Sequence, residues 1–317
     1  MQKLPKDTVI FYHEGTLNGR AAAYAAWRRL QHSAHYEGID YSSLDRFQDY
    51  DLTGKVIYIL GLSIARKHID NALYVAKQVV FIDHHPSTRA VFDPIAKQHD
   101  NVKLIHTQDR ASCCLTWSHF VEDEPVSPFF LAIEDVLFNR NPPKVPNSTF
   151  ICMGLSVYSD FVSLNSFFQN TLNRNLLSGM SDLISEGHHY NKLITSLVNS
   201  YNDKAEYYEI LDRQVPILNI PKTFVDPCLI KLSETTGVAV SYVDSGSKRF
   251  WSIRTTLKSN LNAGKICQLM EGGGSTTVGG FTTNTKTLPE DLDRLMKSFE
   301  KDKSAMDYVK IHSGTGE

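Results

Sequence analysis

Val79-Val80-Phe81-Ile82-Asp83-His84-His85-Pro86 is the stretch on which the fold turns. An apolar, mostly β-branched run stops abruptly at an acid and two histidines, and a proline closes the turn. Such a short continuous run predicts a strand buried on both faces, as in a parallel sheet. Its polar end then falls at the carboxyl edge of the sheet, where open α/β folds take their ligands. Carboxylate oxygen beside imidazole nitrogen is a donor mix suited to Mn²⁺, Fe²⁺ or Zn²⁺. The plainer alternative is a strand followed by an ordinary polar turn.

Working outward, the same alternation recurs on both sides. Residues 8–12 predict a short apolar strand ending at His13, and residues 14–19 a loop. Residues 20–30 predict an alanine-rich helix closed by basic residues, which complement its negative end. Strands are expected at 35–40, 55–60 and 102–106, and helices at 66–76 and 112–120. Strands and helices alternating at this spacing predict a parallel sheet with helices on both faces. Five prolines between 125 and 146 predict a short helix plus loop, and 149–158 and 170–200 read as helical. Strand-like alternation restarts at 214–220, and residues 237–255 predict a hairpin. A short helix at 264–270 runs into Gly272-Gly273-Gly274-Ser275, and 288–309 predicts an amphipathic helix before a disordered end. The expected fold class is therefore α/β in three parts. A parallel-sheet domain occupies 1–165, a helical linker 166–213, and a smaller α/β domain with a helical tail 214–317.

The chain has 317 residues, 42% of them hydrophobic and 21% charged, values typical of a water-soluble globular protein with a substantial core. A formal charge of −2 argues against holding nucleic acid by bulk electrostatics, although a local basic groove is compatible with it. The five cysteines show no Cys-x-x-Cys spacing, which suits a reducing compartment and predicts small packing residues. No targeting signal or membrane span is expected, so a cytoplasmic location is the default.

With these elements in place, the chain resembles the DHH phosphoesterase superfamily, which includes RecJ-type exonucleases and oligoribonucleases. Asp83-His84-His85-Pro86 after a buried strand carries the resemblance most specifically. Ala111-Ser112-Cys113-Cys114-Leu115-Thr116-Trp117 and Ile133-Glu134-Asp135 are similar to later family motifs. Ser252-Ile253-Arg254-Thr255 and the glycine cluster resemble the DHH-associated C-terminal domain. The resemblance implies hydrolysis of a phosphoester by two divalent ions, usually Mn²⁺, which neutralise phosphate, generate hydroxide and stabilise the leaving oxygen. It assigns metal binding to His13, Asp83 and Asp135, with Asp160 a second candidate for the last. It assigns catalysis to His84 and His85, and substrate binding to Arg254, Gly272, Gly273, Gly274 and Ser275. The ligand it implies is a phosphate-containing small molecule or a short oligonucleotide, and a protein partner is a further expectation.

The chain departs from that pattern at three polar positions. Asn18-Gly19 stands where the first motif has Asp-Gly, Gly61 stands where an acid follows the third strand, and Ser275 replaces a histidine. A unit charge pair at ligand distance is worth on the order of 4 kcal/mol at an effective dielectric of 20. Losing two anionic ligands therefore removes most of the affinity for a second ion. Glu14 cannot substitute, because alternation along the strand turns it away from the side of His13. The expectation is a catalytically impaired homologue that binds nucleotide phosphate or a partner, with one Mn²⁺ or none. The alternative is an active metal-dependent phosphoesterase with a reduced metal site.

Overall fold

The computed structural model describes residues 2–174, 176–210, 213–286 and 288–313, and the expectation of a disordered end falls, from 314 on, outside them. The chain divides into two compact units, Met1–Asn191 and Lys192–Glu317.

The first unit is built on a five-stranded sheet of β1 (Thr8–His13), β2 (Ala34–Ile39), β3 (Val56–Leu60), β4 (Gln78–Asp83) and β5 (Val102–His106). The spatial order is β2-β1-β3-β4-β5 and every pairing is parallel, with Phe11 opposite Ile59, Ile59 opposite Phe81 and Phe81 opposite Leu104. Alternate residues feed two separate cores, as the pleat requires. Ile10, Tyr12, Leu60, Val80 and Ile82 pack with the helices of one face. Val9, Phe11, Ile59, Val79 and Phe81 pack with those of the other. On the first face lie α1 (Leu17–Leu30), α4 (Ser112–Phe120), α5 (Pro128–Leu137), α6 (Ser148–Leu155) and α7 (Phe161–Arg174). Ala21 through Ala26 are fully buried around Tyr24, so the small side chains let α1 approach the sheet closely. The opposite face is covered by α2 (Asp70–Val75) and α3 (Pro86–Ala96), where Phe92 stacks on Phe81 with ring centroids 3.8 Å apart. Both rings are fully buried, and each such side chain contributes roughly 1.5–3 kcal/mol of transfer free energy.

The second unit carries β6 (Glu206–Ile210), β7 (Arg213–Asn219), β8 (Val238–Ser245), β9 (Lys248–Thr255), β10 (Gly273–Gly274) and β11 (Val278–Asn284) in the order β10-β11-β9-β8-β7-β6. Only β7 and β8 are parallel, because α9 (Lys222–Thr236) carries the chain across between them. The expected hairpin forms in register from Val238 opposite Thr255 to Ser245 opposite Lys248. One face of this sheet packs on α9 through Leu218, Ile220, Cys228 and Leu229. The other packs through Trp251, Ile253 and Phe281 on α10 (Ala263–Gln268) and α11 (Leu288–Ser313).

The α/β architecture matches the sequence expectation, with several differences of detail. Helix α1 starts at Leu17 rather than at residue 20, because Thr16 caps it by accepting from the Gly19 N–H at 3.1 Å. Helices α3, α7 and α9 and strand β6 exceed the expectation. Proline masks two of them: Pro86 is tolerated at the first position of α3, and Pro94 and Pro227 sit inside α3 and α9. The segment expected as a linker holds α8 (Leu176–Asn202), and the boundary between the units falls within that helix. Among the described residues, no helix is long and apolar enough to cross a membrane.

Candidate functional site

In a sheet ordered 2-1-3-4-5 the chain reverses direction of winding between the first and third strands, and ligands collect outside the carboxyl ends there. Here that point lies between β1, which ends at His13, and β3, which runs into Gly61. Asp83 closes β4 next to β3.

Asp83 is 1% exposed and every oxygen it has is engaged by its own chain. Its Oδ1 accepts from the His84 backbone N–H at 2.8 Å, from His85 Nδ1 at 2.8 Å and from Ser112 Oγ at 3.1 Å. Its Oδ2 accepts from the Thr88 hydroxyl, and lies 3.0 Å from His85 Nδ1. Burial alone would raise the Asp83 pKa, but the hydrogen bonds from His84, His85 and Thr88 hold it well below the usual carboxylate range. The same bond to Asp83 raises His85 against the opposing effect of burial. Since the Ser112 proton points at Asp83, the 2.8 Å contact between Ser112 Oγ and His84 Nδ1 makes that imidazole nitrogen a donor. Both histidines thus spend Nδ1 on the protein and keep Nε2 as the free nitrogen. His106 donates through Nε2 to the His85 carbonyl at 2.9 Å and fixes the turn.

The positions expected to have lost acids are occupied by neutral packing. Asn18 is 8% exposed, and its Oδ1 accepts from the Cys113 N–H at 3.0 Å, tying α1 to α4. Gly61 has φ +61°, a left-handed conformation, and a Cβ built on it would stand 3.2 Å from Ser112 Cβ and 3.8 Å from Asn18 Nδ2. The space beside Gly61 therefore belongs to Ser112 and Asn18.

Among the described residues, the structure groups Asp83, His84 and His85, whose ligand atoms all lie within 4.8 Å of one another. His13 and Asp135 are not brought into that group. His13 Nε2 instead faces Asp40 Oδ1 at 3.6 Å, with its ring edge-on to Tyr41 at 4.9 Å. Burial lowers the His13 pKa, and the Asp40 charge opposes that shift. Asp135 is 2% exposed and directs Oδ2 to the Val145 N–H and the Ser148 hydroxyl, both at 2.8 Å, where it holds the start of α6. Its Oδ1 has no hydrogen bond and lies 3.6 Å from Arg140 Nη1. Asp160 caps α7 through the Ser163 N–H at 2.8 Å. Glu14 lies on the other side of the strand from His13, against Tyr12 and Gly38, as alternation requires.

Three polar residues here were given no functional role by the sequence reading. Asp40 follows β2 directly, as Asp83 closes β4, and accepts from the Gly15 N–H at 2.7 Å. Position after a strand was the available signal. Ser112 bridges Asp83 and His84 and could not be found without coordinates. Glu134 is fully buried, accepts from Arg140 at 2.6 Å, Lys144 at 3.0 Å and the Ala111 N–H at 2.8 Å, and so anchors the start of α4.

In the second unit, Arg254 lies on β9 and donates to Asp226 Oδ1 on α9 at 2.6 Å. The glycine cluster is shaped by close packing. A Cβ at Gly272 would be 2.2 Å from the Gly280 carbonyl oxygen, and one at Gly274 (φ +152°) 2.2 Å from that of Val278. The N–H of Gly272 donates to Cys267 at 2.8 Å and that of Ser275 to Val278 at 2.7 Å, so both are committed to the protein.

These residues do not fit a two-ion centre. Asp83 is saturated by its own chain, Asn18 has its carbonyl oxygen in use, and Gly61 offers no donor. Among the described residues, the donors grouped closely enough to hold a single ion are those of Asp83, His84 and His85, in competition with the existing bonds.

No protein-family model matches the sequence, and no curated protein matches it either. Solved structures do. The DHH domain of a member of a ribosomal-protein family aligns with TM-score 0.58 and 13% identity over 92% of this chain and 86% of its own. RecJ of Thermus thermophilus, solved with Mn²⁺, aligns with TM-score 0.56 and 12% identity over 93% of this chain, which spans 52% of the RecJ chain. A pGpG-specific phosphodiesterase of Vibrio cholerae aligns with TM-score 0.51 and 12% identity over 94% of this chain and 99% of its own. At such identities the likeness is one of fold, and the fold is that of the DHH proteins.

Proposed function

We propose that this chain, built on the DHH fold, is a member of the DHH superfamily that binds a phosphate-bearing nucleotide or short oligonucleotide and has lost efficient phosphoester hydrolysis. One observation supports the reading: the positions that the family resemblance gives to two metal-ligating carboxylates hold Asn18, bonded to the Cys113 N–H, and Gly61, whose side-chain space Ser112 borders. Two-ion hydrolysis relies on dense negative charge to hold the second cation, and at least two charges are missing. Among the solved structures of this fold, one is named an exonuclease and another a pGpG-specific phosphodiesterase, which supports the ligand class. Arg254 in the second unit is the proposed phosphate contact there, once it leaves Asp226.

A second reading, hydrolysis with a single divalent ion such as Mn²⁺, is favoured by the proximity of Asp83, His84 and His85. Calorimetric titration with MnCl₂ separates the two, combined with turnover of short RNA, linear and cyclic dinucleotides and polyphosphate. At most one weak ion and no turnover above that of Asp83→Ala is the expected result. Two bound ions, or turnover that Asp83→Ala abolishes, would remove the reading.

A further inference from the structure

Arg20 is placed where a merely structural arginine would be costly. It stands in the first turns of α1, two residues after Asn18, and is 8% exposed. Its Nη1 donates to the Glu14 carbonyl oxygen at 2.6 Å, its Nε is buried with no hydrogen-bond partner, and among the described residues it forms no ion pair within 4.0 Å. A desolvated cation left without a counter-charge is among the most expensive groups a fold can bury. The helix makes this worse, because its N-terminal end carries positive partial charge and α1 has no acid in its first turn.

The nearby carboxylates have other work. Glu14 hydrogen-bonds the Tyr12 side chain, and Asp160, although within electrostatic reach of Arg20, accepts from the Ser163 N–H at 2.8 Å. His13, also within reach of the Arg20 charge, adds no negative charge. Asn18 faces Cys113 and Gly61 faces Ser112, and neither brings a negative charge to the guanidinium. A buried guanidinium with an unsatisfied Nε, within reach of His13 at the carboxyl end of β1, is poised to take an anion.

We propose that Arg20 is the anchor of an oxyanion site at the start of α1, which takes a phosphate group directly, without a metal ion. The planar guanidinium presents paired N–H donors that match two phosphate oxygens, and partial desolvation strengthens each bond. The ligand class is a phosphate mono- or diester, or a pyrophosphate. This inference rests on the reading of the carboxyl edge as a phosphate site and adds that the protein itself supplies the positive charge.

The test is titration of inorganic pyrophosphate into the full chain in EDTA, followed by calorimetry. Wild type binds; Arg20→Gln weakens binding at least tenfold, Arg20→Lys two- to fivefold, and the remote Lys97→Gln less than twofold. Equal binding by wild type and Arg20→Gln, or wild-type binding only when Mn²⁺ is present, overturns the proposal. Should Arg20→Gln fail to fold, the Arg20 Nε–H resonance of the wild type decides: it shifts on adding pyrophosphate, and an unmoved signal at saturation refutes the site. Binding spared by Arg20→Gln but lost in Arg254→Gln would leave the proposed function standing and remove this inference. Two-ion hydrolysis would remove the proposed function and leave the EDTA titration to judge Arg20.

Discussion

Placing acids at positions 18 and 61 is the sharpest test of the proposed loss of metal ligands. Asn18→Asp should be close to neutral for folding. The Cys113 N–H keeps its acceptor, and an acid in the first turn of α1 gains about 0.3–1 kcal/mol from the helix dipole. Gly61→Asp is different. Leaving glycine at φ +61° costs roughly 1–2 kcal/mol, and the new Cβ must push Ser112 Cβ outward from 3.2 Å. Without an ion, two carboxylates brought to a separation of about 5 Å repel by roughly 3 kcal/mol at an effective dielectric of 20, and that is the scale of repulsion expected against Asp83. The double variant should thus be about 4–6 kcal/mol less stable than wild type in EDTA, a large part of the ~5–15 kcal/mol that domains possess. An ion that satisfies the new acids returns about 4 kcal/mol when present at a thousand times its dissociation constant. Thermal denaturation with and without MnCl₂ reads this directly. Mn²⁺ should raise the midpoint of the double variant by many degrees and leave the wild type nearly unmoved. Equal Mn²⁺ shifts in both proteins, or a double variant as stable as wild type in EDTA, would refute the placement of both positions.

Two further outcomes follow from the geometry. Glu134 is buried, which would raise its pKa, but Arg140, Lys144 and the Ala111 N–H lower it from 4.5 to about 2. A carboxylate depressed in the folded state contributes stability above its unfolded pKa and loses it as pH falls from 4.5 to about 2, so Glu134→Gln should cost about 3 kcal/mol at pH 7. Urea unfolding at pH 7, 4 and 3 should show that gap narrowing with acid, and a gap that is constant or absent contradicts the charge network. Gly274→Ala should destabilise the second unit by about 1–3 kcal/mol through the clash with the Val278 carbonyl, measurable as earlier loss of Trp251 fluorescence, and no shift would mean the hairpin can relax.

Much of this arrangement was legible in the residues. The apolar run ending at Asp83 located both the central strand and the edge at which polar groups gather, because period and abrupt polarity change are local properties. Helix α4 and strand β5 fall at the residues their patterns predict. Elements broken by proline were harder to read, since Pro94 and Pro227 interrupt the pattern without ending the helix. The site was only half legible for a related reason. Asp83, His84 and His85 are consecutive, but their partners Ser112 and Thr88, and the His13–Asp40 contact, depend on which strands lie side by side. Nor can a sequence show that the buried Nε of Arg20 has no hydrogen-bond partner, because that is a statement about what folding leaves out of reach.

The self-contained shell of Asp83 bears on how the turn after β4 forms. A metalloprotein whose ligands repel one another until the ion arrives couples its folding to cation supply. Here the carboxylate already accepts hydrogen bonds from His85, Ser112 and Thr88 and from the His84 backbone N–H, all within the polypeptide. The hydrogen bonds that shape this turn are all between residues of the chain itself, so the turn can form before any ligand binds.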